Sequence, residues 1–585
     1  MTPSRDTRRP GGRRLWLAAA PAVLALALAG CGQAASPAAS TPEAATPEPQ
    51  ATTVDTTLDG FSTAADVIAG NQQPHDDPEA AKAADAETIA LGGSTARTDA
   101  AGVKVDGSTV TVTAAGAYVL EGDLEGQVVV AAPDDAVVTL VLDGADIAHT
   151  DGPAIDVQSA DEAIVVLAEG SANTLSDAAG YAEDADANAA LFSAADLTLT
   201  GTGSLTVTGN GNDGIASKDG LVIQSGDISV DAVDDGIRGK DYLVIRDGDI
   251  DVTAGGDGLK ADNEEDAERG YVHLEGGDIE ITADADGIDA FTDVVQTGGT
   301  VTVTAGGGAS SDPESGAKGI VAGNIVVLES GSATVDAADD AVHSDGYAHL
   351  AGSAVTLTTG DDGVHAELQL VVSGGDVTVA SSVEGLESGQ ITVSGGTSAI
   401  TADDDGLNVS EPDAGTAALT LVISGGDLVI DAQGDGLDAN GTAEITGGTT
   451  IVHGTTEGGN GAIDVDGGTT VSGGTLFAMG SAGMAQAPSP ASPQASVQFA
   501  PTAMIPAGTE LAVLSSSGEK LGSVTTPKSV QNVVFSAPGL ADGDTLTLTA
   551  DGAVVATAVA GEQNAGGMGG LGGPGGPGGP AGPLG

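Results

Sequence analysis

Hydrophobic and polar residues alternate along most of the chain in short stretches that recur in a fixed order. In one unit an apolar stretch, YLVI (242–245), meets a turn, RDGD (246–249), and then an alternating stretch, IDVTA (250–254). An acidic turn, GGDG (255–258), leads into a short stretch, LKA (259–261). The alternation has the two-residue period of β-strands, and no part of the repeat has a helical period. Each unit is therefore predicted to contain three short strands and three turns.

The units align on the second residue of a recurring Asp-Gly-aliphatic step. This position recurs at Gly214, Gly236, Gly258, Gly287, Gly319, Ala341, Gly363, Gly385, Gly406, Gly436 and Ala462. Most intervals are 21 or 22 residues, and the longer ones indicate loop insertions. Three strands in about 22 residues form one coil of a parallel β-helix, which buries its apolar side chains only by stacking on other coils. The prediction is an all-β fold, a right-handed single-stranded parallel β-helix.

The residue after the aligned position is always aliphatic. This column contains Ile215, Ile237, Leu259, Ile288, Ile320, Val342, Val364, Leu386, Leu407, Leu437 and Ile463. We expect it to point inward, where each side chain contributes roughly 1.5–3 kcal/mol by burial. The aligned glycines are expected to adopt a backbone conformation closed to other residues.

The residue before the aligned position is acidic in nine of ten units. This carboxylate column contains Asp213, Asp235, Asp257, Asp286, Lys318, Asp340, Asp362, Glu384, Asp405 and Asp435. Stacked coils place such groups about 5 Å apart, where like charges repel. Three interpretations stay open. The side chains bond to backbone N–H groups two residues on, they belong to a generally acidic surface, or they hold calcium between coils.

The early coils contain the densest cluster of acidic and basic residues. The predicted metal ligands there are Asp213, Asp234, Asp235, Asp257, Asp262 and Asp286. Basic residues are rare beyond the N-terminus, yet Lys218, Arg238, Lys240 and Lys260 accompany these carboxylates. They either compensate the negative charge or face a bound sugar, and we predict that they bind carbohydrate.

Charge excludes two classes of partner. The chain has 17 Lys and Arg against 85 Asp and Glu. Removing the five arginines and Asp6 of the first 30 residues leaves 12 against 84, a net charge of −72. Such a chain repels nucleic acid and anionic lipid headgroups and attracts cations.

The N-terminus has the features of an export signal. An Arg-rich start leads into an apolar run (15–30) that is short for a membrane span, and then into Cys31, the single cysteine. LAGC (28–31) resembles the bacterial lipobox, so we predict lipidation at Cys31 and a location on the extracellular face of the membrane.

The remaining boundaries follow from composition. The predicted segments are a signal peptide (1–30), a disordered linker (31–57), a β-helix (58–482), a second linker (483–496), a C-terminal β-rich capping region (497–562) and a Gly/Pro-rich tail (563–585). A monomer is expected.

The sequence resembles one known family. The stretches that carry the resemblance are LVLDGADI (140–147), NDGIASKD (212–219) and DDGIRGKD (234–241), which occur in the family's order. This is the bacterial carbohydrate-binding-domain family of cell-surface parallel β-helix proteins, binders of cellulose and acidic plant polysaccharides. The resemblance implies a pectate-lyase-like fold, with calcium at the Asp-Gly turns of the first coils.

The residues favour one ligand over the other. Cellulose binding usually requires a flat row of aromatic side chains, but no tryptophan follows Trp16 and the five tyrosines are scattered in the sequence. An acidic polysaccharide needs cations to bridge it to so acidic a surface. The prediction is therefore a non-catalytic protein that binds acidic glycans with calcium as cofactor. The alternatives are a calcium-dependent polysaccharide lyase, with Lys218, Arg238, Lys240 or Lys260 as base, and a structural stalk or adhesin.

Overall fold

The computed structural model describes residues 54–55, 57–75, 86–182, 185–412 and 418–562. The predicted signal peptide, Cys31, most of the first linker and the C-terminal tail lie outside these residues. The described chain is almost entirely β-strand, with one helix, α1 (Ala64–Gly70), and one 3-10 turn (Pro313–Ser315). The all-β prediction is confirmed. No helix in the described ranges combines the length and the apolar character that a membrane crossing requires.

Each coil of the chain, from here on called a turn, contributes one strand to each of three runs of parallel strands. The 16-stranded sheet is called face 1, and the two runs within the 32-stranded sheet are called faces 2 and 3. Equivalent strands of successive turns pair in register, as Ile237 with Leu259 on face 1 and Tyr242 with Tyr271 on face 2. The long, mostly parallel and nearly closed sheets support a β-helix-like fold. The right-handed sense and the coil length stay predictions.

The strand bounds follow this three-part order. Face 1 consists of Val103–Asp106, Thr109–Val112, Gln127–Ala131, Ile155–Ser159, Ala189–Ser193, Asp213–Ser217, Ile237–Gly239, Leu259–Ala261, Ile288–Ala290, Ile320–Ala322, Val342–Ser344, Val364–Ala366, Leu386–Ser388, Leu407–Val409, Leu437–Ala439 and Ile463–Val465. Face 2 consists of Glu162–Leu167, Asp196–Gly201, Gly220–Ile223, Tyr242–Ile245, Tyr271–Leu274, Asp293–Gln296, Ile325–Leu328, Tyr347–Leu350, Gln369–Val372, Gln390–Val393, Thr420–Ile423, Thr442–Ile445 and Thr469–Val471. Face 3 consists of Ala172–Ser176, Ser204–Gly209, Asp227–Ala232, Asp249–Ala254, Asp278–Ala283, Thr300–Ala305, Ser332–Ala337, Ala354–Thr359, Asp376–Ser381, Thr397–Ala402, Asp427–Ala432, Thr449–His453 and Thr475–Gly480.

Different strands close the two ends of the stack. At the N-terminal end the strands Glu87–Leu91, Ala96–Arg97, Gly116–Glu125 and Val137–Ala148 extend the 32-stranded sheet. At the other end Ser496–Phe499 and Asn532–Ser536 join face 3 in antiparallel pairing. A separate four-stranded sheet contains Glu510–Leu514, Lys520–Thr525, Thr545–Ala550 and Ala553–Val559. Phe477, Phe499 and Phe535 form a second core there.

The predicted aliphatic column lies in the core. Every member, from Ile215 to Ile463, is at most 2% exposed, and all belong to one continuous hydrophobic cluster. Registered pairing places each member opposite the next, for example Leu386 opposite Leu407. Between Ile215 and Ile463 the members of this cluster are all short aliphatic side chains from the three faces, and the core prediction is confirmed.

The aligned glycines were expected to adopt a backbone conformation closed to other residues, and this expectation is wrong. None of the nine has a positive φ. A Cβ atom on Gly236 would instead lie 2.3 Å from Cγ1 of Val252 and 2.6 Å from the carbonyl oxygen of Gly258. The same overlap recurs at Gly258 with Ile281. Glycine is therefore favoured because a face 3 side chain and the next turn of backbone occupy the space a side chain would need.

Residues 54–55 and 57–75, here called the N-terminal strap, lie along the outside of face 2. Helix α1 begins at a capping box formed by Thr63 and Asp66 and packs on Val295, Ile325 and Val327. The segment was assigned to the β-helix or the linker on composition, and sequence periodicity did not reveal its helix. The strap is an added layer over one face of the stack.

The strap covers an aromatic column that the sequence did not reveal. Tyr242 and Tyr271 stack with ring centroids 5.6 Å apart, and Tyr347 lies further along the same face. The first two are at most 2% exposed. The tyrosine hydroxyl of Tyr242 contacts His75, and that of Tyr271 donates to the carbonyl oxygen of Gln72 at 2.7 Å. Three of the five tyrosines are thus aligned on face 2, but they do not form an open platform.

Candidate functional site

The carboxylate column lies where the chain enters face 1, and its side chains join successive turns. Oδ1 of Asp235 accepts the N–H of Asp257 at 3.0 Å, and Oδ1 of Asp257 accepts the N–H of Asp286 at 2.9 Å. In the same way, Oδ1 of Asp340 accepts the N–H of Asp362, and Oδ1 of Asp405 accepts the N–H of Asp435. The N–H two residues after each carboxylate pairs instead with the parallel ladder, as the N–H of Ile237 does with the carbonyl oxygen of Gly258. The column therefore bridges neighbouring turns of the chain.

Arg238 neutralises the first part of the column. Its guanidinium binds both carboxylate oxygens of Asp262, at 3.0 and 2.6 Å, and lies 3.8 Å from Oδ2 of Asp213. Asp213 is 1% exposed. Burial and the nearby charge of Asp235 raise its pKa to about 7, although Arg238 opposes this shift. Asp262 and Asp213 are thus brought together, with a protein cation between them.

Lys260 has the same role one turn further on. Its ammonium lies between Asp257, with which it forms a short ion pair, Asp235 at 3.4 Å and Asp289 at 3.8 Å. Burial lowers the pKa of Lys260, but the charges of Asp235 and Asp257 raise it above its usual value. Lys260 therefore occupies the position that a metal ion among these carboxylates would need.

The other predicted metal ligands in these turns differ in their surroundings. Asp234 is exposed and lies next to buried Asp235. Asp286 accepts the N–H of Lys318 at 2.7 Å, and burial raises its pKa to about 6. Asp257, Asp286 and Asp289 have oxygen atoms within 4.8 Å of one another. Asp257 and Asp286, two of the six predicted ligands, therefore converge with Asp289, which is not among the predicted ligands.

The predicted sugar-contacting lysines do not form one site. Lys218 is half-exposed, pairs with Asp186 at 3.0 Å and lies 5.8 Å from the ring centroid of Phe192. It lines a cleft of about 430 Å³ that also contains Asp156 and Gln158. Lys240 is half-buried directly after the strand Ile237–Gly239. Arg238 and Lys260 are held by carboxylates, so only Lys218 faces an open cleft with polar and aromatic walls.

A mixed cluster of acidic and basic side chains follows at Asp340. The carboxylate accepts a bond from Lys318 at 3.1 Å and contacts Nδ1 of His343 at 2.8 Å. Nδ1 of His365 lies 3.7 Å away. Burial would raise the pKa of Asp340, but hydrogen bonds from His343 and His365 and the charge of Lys318 hold it well below its usual range. Neither histidine is among the predicted site residues.

Beyond Asp340, no described lysine or arginine forms an ion pair with a member of the carboxylate column, and Lys528 pairs instead with Asp431 on face 3 at 2.6 Å. Burial and a hydrogen bond to Glu387 raise the pKa values of Asp362 and Glu384, while Glu387 becomes the more acidic member. Glu387 also accepts a bond from Ser410 at 2.7 Å. These shifts favour protons on Asp362 and Glu384 rather than on Glu387 when no cation is bound.

A second all-carboxylate group lies two turns further on. Asp405, Asp435 and Asp438 have oxygen atoms within 4.8 Å of one another. Burial raises the pKa values of all three, to about 6 for Asp435 and about 7 for Asp438, and the neighbouring carboxylates add to the shift. Among the described residues, no lysine, arginine or histidine forms an ion pair with them. Their donor set, oxygen alone, is that preferred by calcium.

Several residues of the site that were not predicted belong to one further column of the repeat. The residues two positions after the aligned position lie beside the carboxylate column, and all of them except the buried Ala216 are half-buried. This outer column contains Ala216, Arg238, Lys260, Asp289, Val321, His343, His365, Glu387, Asn408, Asp438 and Asp464. In this column the basic residues Arg238 and Lys260 lie in the early turns, the histidines lie in the middle turns, and most of the carboxylates lie in the late turns.

Comparisons with known proteins give a family match, a relative and a similar solved structure. The sequence model of a family described as carbohydrate-binding domain-containing protein matches residues 106–363 and 361–487. A carbohydrate-binding domain-containing protein of Acetivibrio thermocellus is 37% identical over 136 residues, which are 22% of this chain and 48% of that protein. The matched region thus spans about half the length of that relative.

A solved structure from C. thermocellum, described as a polysaccharide lyase-like protein in a gadolinium derivative, is 36% identical. It covers 38% of this chain and 92% of its own, with a TM-score of 0.37. Since the family match extends over more than half of the residues, including the whole run from Asp213 to Asp464, this chain belongs to the carbohydrate-binding domain-containing protein family.

Proposed function

We propose that the protein binds an acidic, uronate-type polysaccharide in a calcium-dependent and non-catalytic manner along face 1. The observation that carries the proposal is the group Asp405, Asp435 and Asp438, whose buried and half-buried carboxyl groups converge with no ion-paired basic side chain among the described residues. Ionising all three in the absence of a cation is unfavourable, so a divalent ion that binds them relieves the repulsion. Oxygen ligands at adjustable distances suit calcium.

Charge supports an ion-bridged glycan over a direct contact. The described part of the chain is strongly acidic, and a uronate polymer carries the same sign of charge. A calcium ion held by protein carboxylates keeps open coordination positions, which uronate carboxylates can fill. Asp438 is only half-buried, so one side of the group faces the surface.

The cleft at Lys218 offers a second contact for the same glycan. Its ammonium can pair with a uronate carboxylate, and Gln158 and Asp156 provide hydrogen-bonding groups. Lys218 and Asp156 lie on or next to face 1 strands, as do Asp435 and Asp438. A long polymer could therefore contact both regions along one face.

The aromatic side chains argue against stacking on crystalline cellulose. Among the described residues, Phe61 is the one aromatic side chain counted as exposed, and the tyrosine column lies under the strap. A flat row of exposed rings is the usual basis for binding sugar faces. An acidic ligand held by cations is favoured on these grounds.

The experiment is a calorimetric titration of the chelator-treated full chain with calcium, followed by polygalacturonate with and without the ion. We expect saturable calcium uptake and glycan binding only in its presence. The variant Asp438→Asn should weaken both, while Asp376→Asn, an exposed aspartate on face 3, should change neither. Equal glycan binding with and without calcium would refute the proposal.

The same samples distinguish a binding protein from a lyase. A lyase requires a base near the bound ion, and Lys260 and Arg238 are engaged by carboxylates. We therefore expect no rise in absorbance at 235 nm, where unsaturated uronides absorb. A calcium-dependent rise would favour the lyase. Absence of both calcium and glycan binding would favour a structural stalk.

We also propose that the protein acts as a monomer anchored by lipid at Cys31 on the extracellular face of the membrane. The lipobox LAGC supports this, and residues 28–31 lie outside the described part of the chain. Incorporation of labelled fatty acid into the wild-type chain, and its loss in Cys31→Ser, is the expected result.

A further inference from the structure

Two histidines lie opposite each other on the outer column of face 1. His343 pairs in register with His365, and their rings meet edge to face with centroids 5.0 Å apart. The other five histidines lie elsewhere, at positions 75, 149, 273, 349 and 453. This pair therefore brings two imidazoles to one place on a surface otherwise rich in carboxylates.

The imidazole nitrogens converge on one buried carboxylate. Nδ1 of His343 lies 2.8 Å from Oδ2 of Asp340, and Nδ1 of His365 lies 3.7 Å from the same atom. Asp340 is 3% exposed. With zinc–ligand distances of about 2.0–2.1 Å, the donor atoms of a tetrahedral site lie about 3.3–3.4 Å apart. The two observed distances bracket that value, so small side-chain rotations would complete the geometry.

A fourth ligand is within reach. Oδ2 of Asp362 lies 3.9 Å from Nδ1 of His365, and Asp362, His365 and Glu387 form a second group with ligand atoms within 4.8 Å of one another. His365 belongs to both groups. Asp340, His343, His365 and Asp362 together offer two nitrogen and two oxygen donors, the number a tetrahedral ion requires.

The donor set separates this place from the carboxylate group at Asp435. Calcium prefers oxygen ligands alone, whereas imidazole nitrogen selects zinc, cobalt, nickel and copper. We propose that Asp340, His343, His365 and Asp362 form a binding site for a divalent transition metal of the zinc class. The site links two successive turns of the chain and is independent of the calcium-dependent function proposed above.

Lys318 competes with the metal for the same oxygen. Its ammonium lies 3.1 Å from Oδ2 of Asp340 and also forms a short ion pair with Asp339. Because the ammonium already has a second partner, it can stay with Asp339 when Asp340 turns toward a metal. Removing this positive charge should therefore strengthen metal binding.

The test uses the full chain, purified without a histidine tag, treated with chelator and kept in excess calcium. Cobalt(II) serves as the spectroscopic probe and zinc as the competitor in calorimetry. We expect one equivalent of zinc to bind, and cobalt to give the intense visible absorption of a tetrahedral site, which zinc abolishes. His343→Gln and His365→Gln should each weaken zinc binding by at least about tenfold. The control His149→Gln should leave it unchanged.

Lys318→Met provides a test that does not depend on the histidine variants folding. We expect tighter zinc binding than in the wild-type chain, with an unchanged far-ultraviolet circular dichroism spectrum. Absence of saturable zinc binding in the presence of calcium would overturn the proposal. So would equal affinity in wild-type and His365→Gln protein, or weaker affinity in Lys318→Met.

Discussion

The turns from Asp213 to Lys318 and the turns from Asp362 to Asp464 share one carboxylate column but differ in what neutralises it. Seven of the twelve lysines and arginines beyond residue 30 lie in the first region, at positions 218, 238, 240, 246, 260, 269 and 318. From Gly319 to Glu519 there is none. The first region contains its own cations, Arg238 and Lys260, within the column. The second depends on protons or on ions from solution.

In the first region the carboxylates are neutralised by side chains of the protein itself, whereas in the second they are neutralised by protons or ions that exchange with the solvent. An ammonium held among three carboxylates is part of the chain itself, so we expect the early turns to need added metal less than the late ones. Carboxyl groups with raised pKa values respond to pH and to cation concentration. A resemblance to the family had placed calcium in the early turns, whereas the uncompensated carboxylates lie in the late ones.

The largest effect is expected from removing a cation in the first region. Lys260→Met leaves Asp235, Asp257 and Asp289 without compensation and should lower the free energy of unfolding by about 3–5 kcal/mol. Denaturant unfolding in the presence of chelator measures this. Val429→Met, at an exposed face 3 position outside the carboxylate column, should change stability by less than about 0.5 kcal/mol.

Calcium should then partly restore Lys260→Met, because the vacated position resembles the late turns. If the variant is as stable as the wild-type chain in chelator, protons compensate the early carboxylates as well, and the contrast between the two regions fails.

The reciprocal change adds a cation to the second region. Asp438→Lys places an ammonium beside Asp405 and Asp435 at the position equivalent to Lys260. In the wild-type chain, calcium at 100 times its dissociation constant should stabilise the fold by about 2.7 kcal/mol, provided that it binds only the folded state. The variant should lose most of that increment.

Thermal unfolding of the Asp438→Lys variant with and without calcium measures the increment. Asp427→Lys, an exposed face 3 position, is the matched control and should keep it. An undiminished calcium effect in Asp438→Lys would place the ion elsewhere.

A smaller effect concerns pH. Asp435 and Asp438 have folded-state pKa values of about 6 and about 7, raised by burial, against an ordinary value of about 4. A group with a raised folded-state pKa stabilises the fold fully below its unfolded pKa, and this contribution is lost as pH rises through the folded value. Stability in chelator should therefore fall between about pH 4 and pH 7.

Melting temperatures measured across this range, with and without calcium, test the sign. Calcium should flatten the fall, and Asp438→Asn should reduce it because one ionising group is removed. A melting temperature that rises across the same range in chelator would contradict this assignment.

The smallest effect on stability is expected at Lys218. Its pair with Asp186 is exposed, so Lys218→Ala should change the free energy of unfolding by less than about 0.5 kcal/mol. If the cleft contacts uronate, the same variant should bind polygalacturonate more weakly. The comparison with Lys520→Ala, another exposed pair remote from face 1, isolates the cleft. Equal glycan binding by both variants would remove Lys218 from the glycan site.

Sequence periodicity predicted the interior better than the surface. The column from Ile215 to Ile463 could be read directly because burial acts on every turn in the same way. The glycine at position 236 was located correctly but explained by backbone conformation, since the nearby Val252 belongs to another face and its approach depends on stacking. The pairing of Lys260 with Asp289 was hidden for a similar reason. Those residues lie 29 apart in sequence and meet only in the parallel register.

The strap was missed because it belongs to no repeat. Its contacts join residues that are far apart in sequence, such as Asn71 and Asp293, which lie 222 positions apart and are hydrogen-bonded at 2.9 Å. No local pattern marks Tyr242 and Tyr271 as a covered pair. Their alignment depends on the stacking of the turns, and the strap buries both rings so that they form no open aromatic surface.

The strap also changes how the stack should lose its structure. In a repeat protein each turn contacts only its neighbours, so unfolding can begin at either end and spread one turn at a time. The strap reaches from Thr198 to Gln369 and crosses eight successive face 2 strands. It thereby links turns that do not touch each other directly. Amide hydrogen exchange in this span should consequently show one cooperative unit, whereas the turns beyond Gln369 should open with graded free energies.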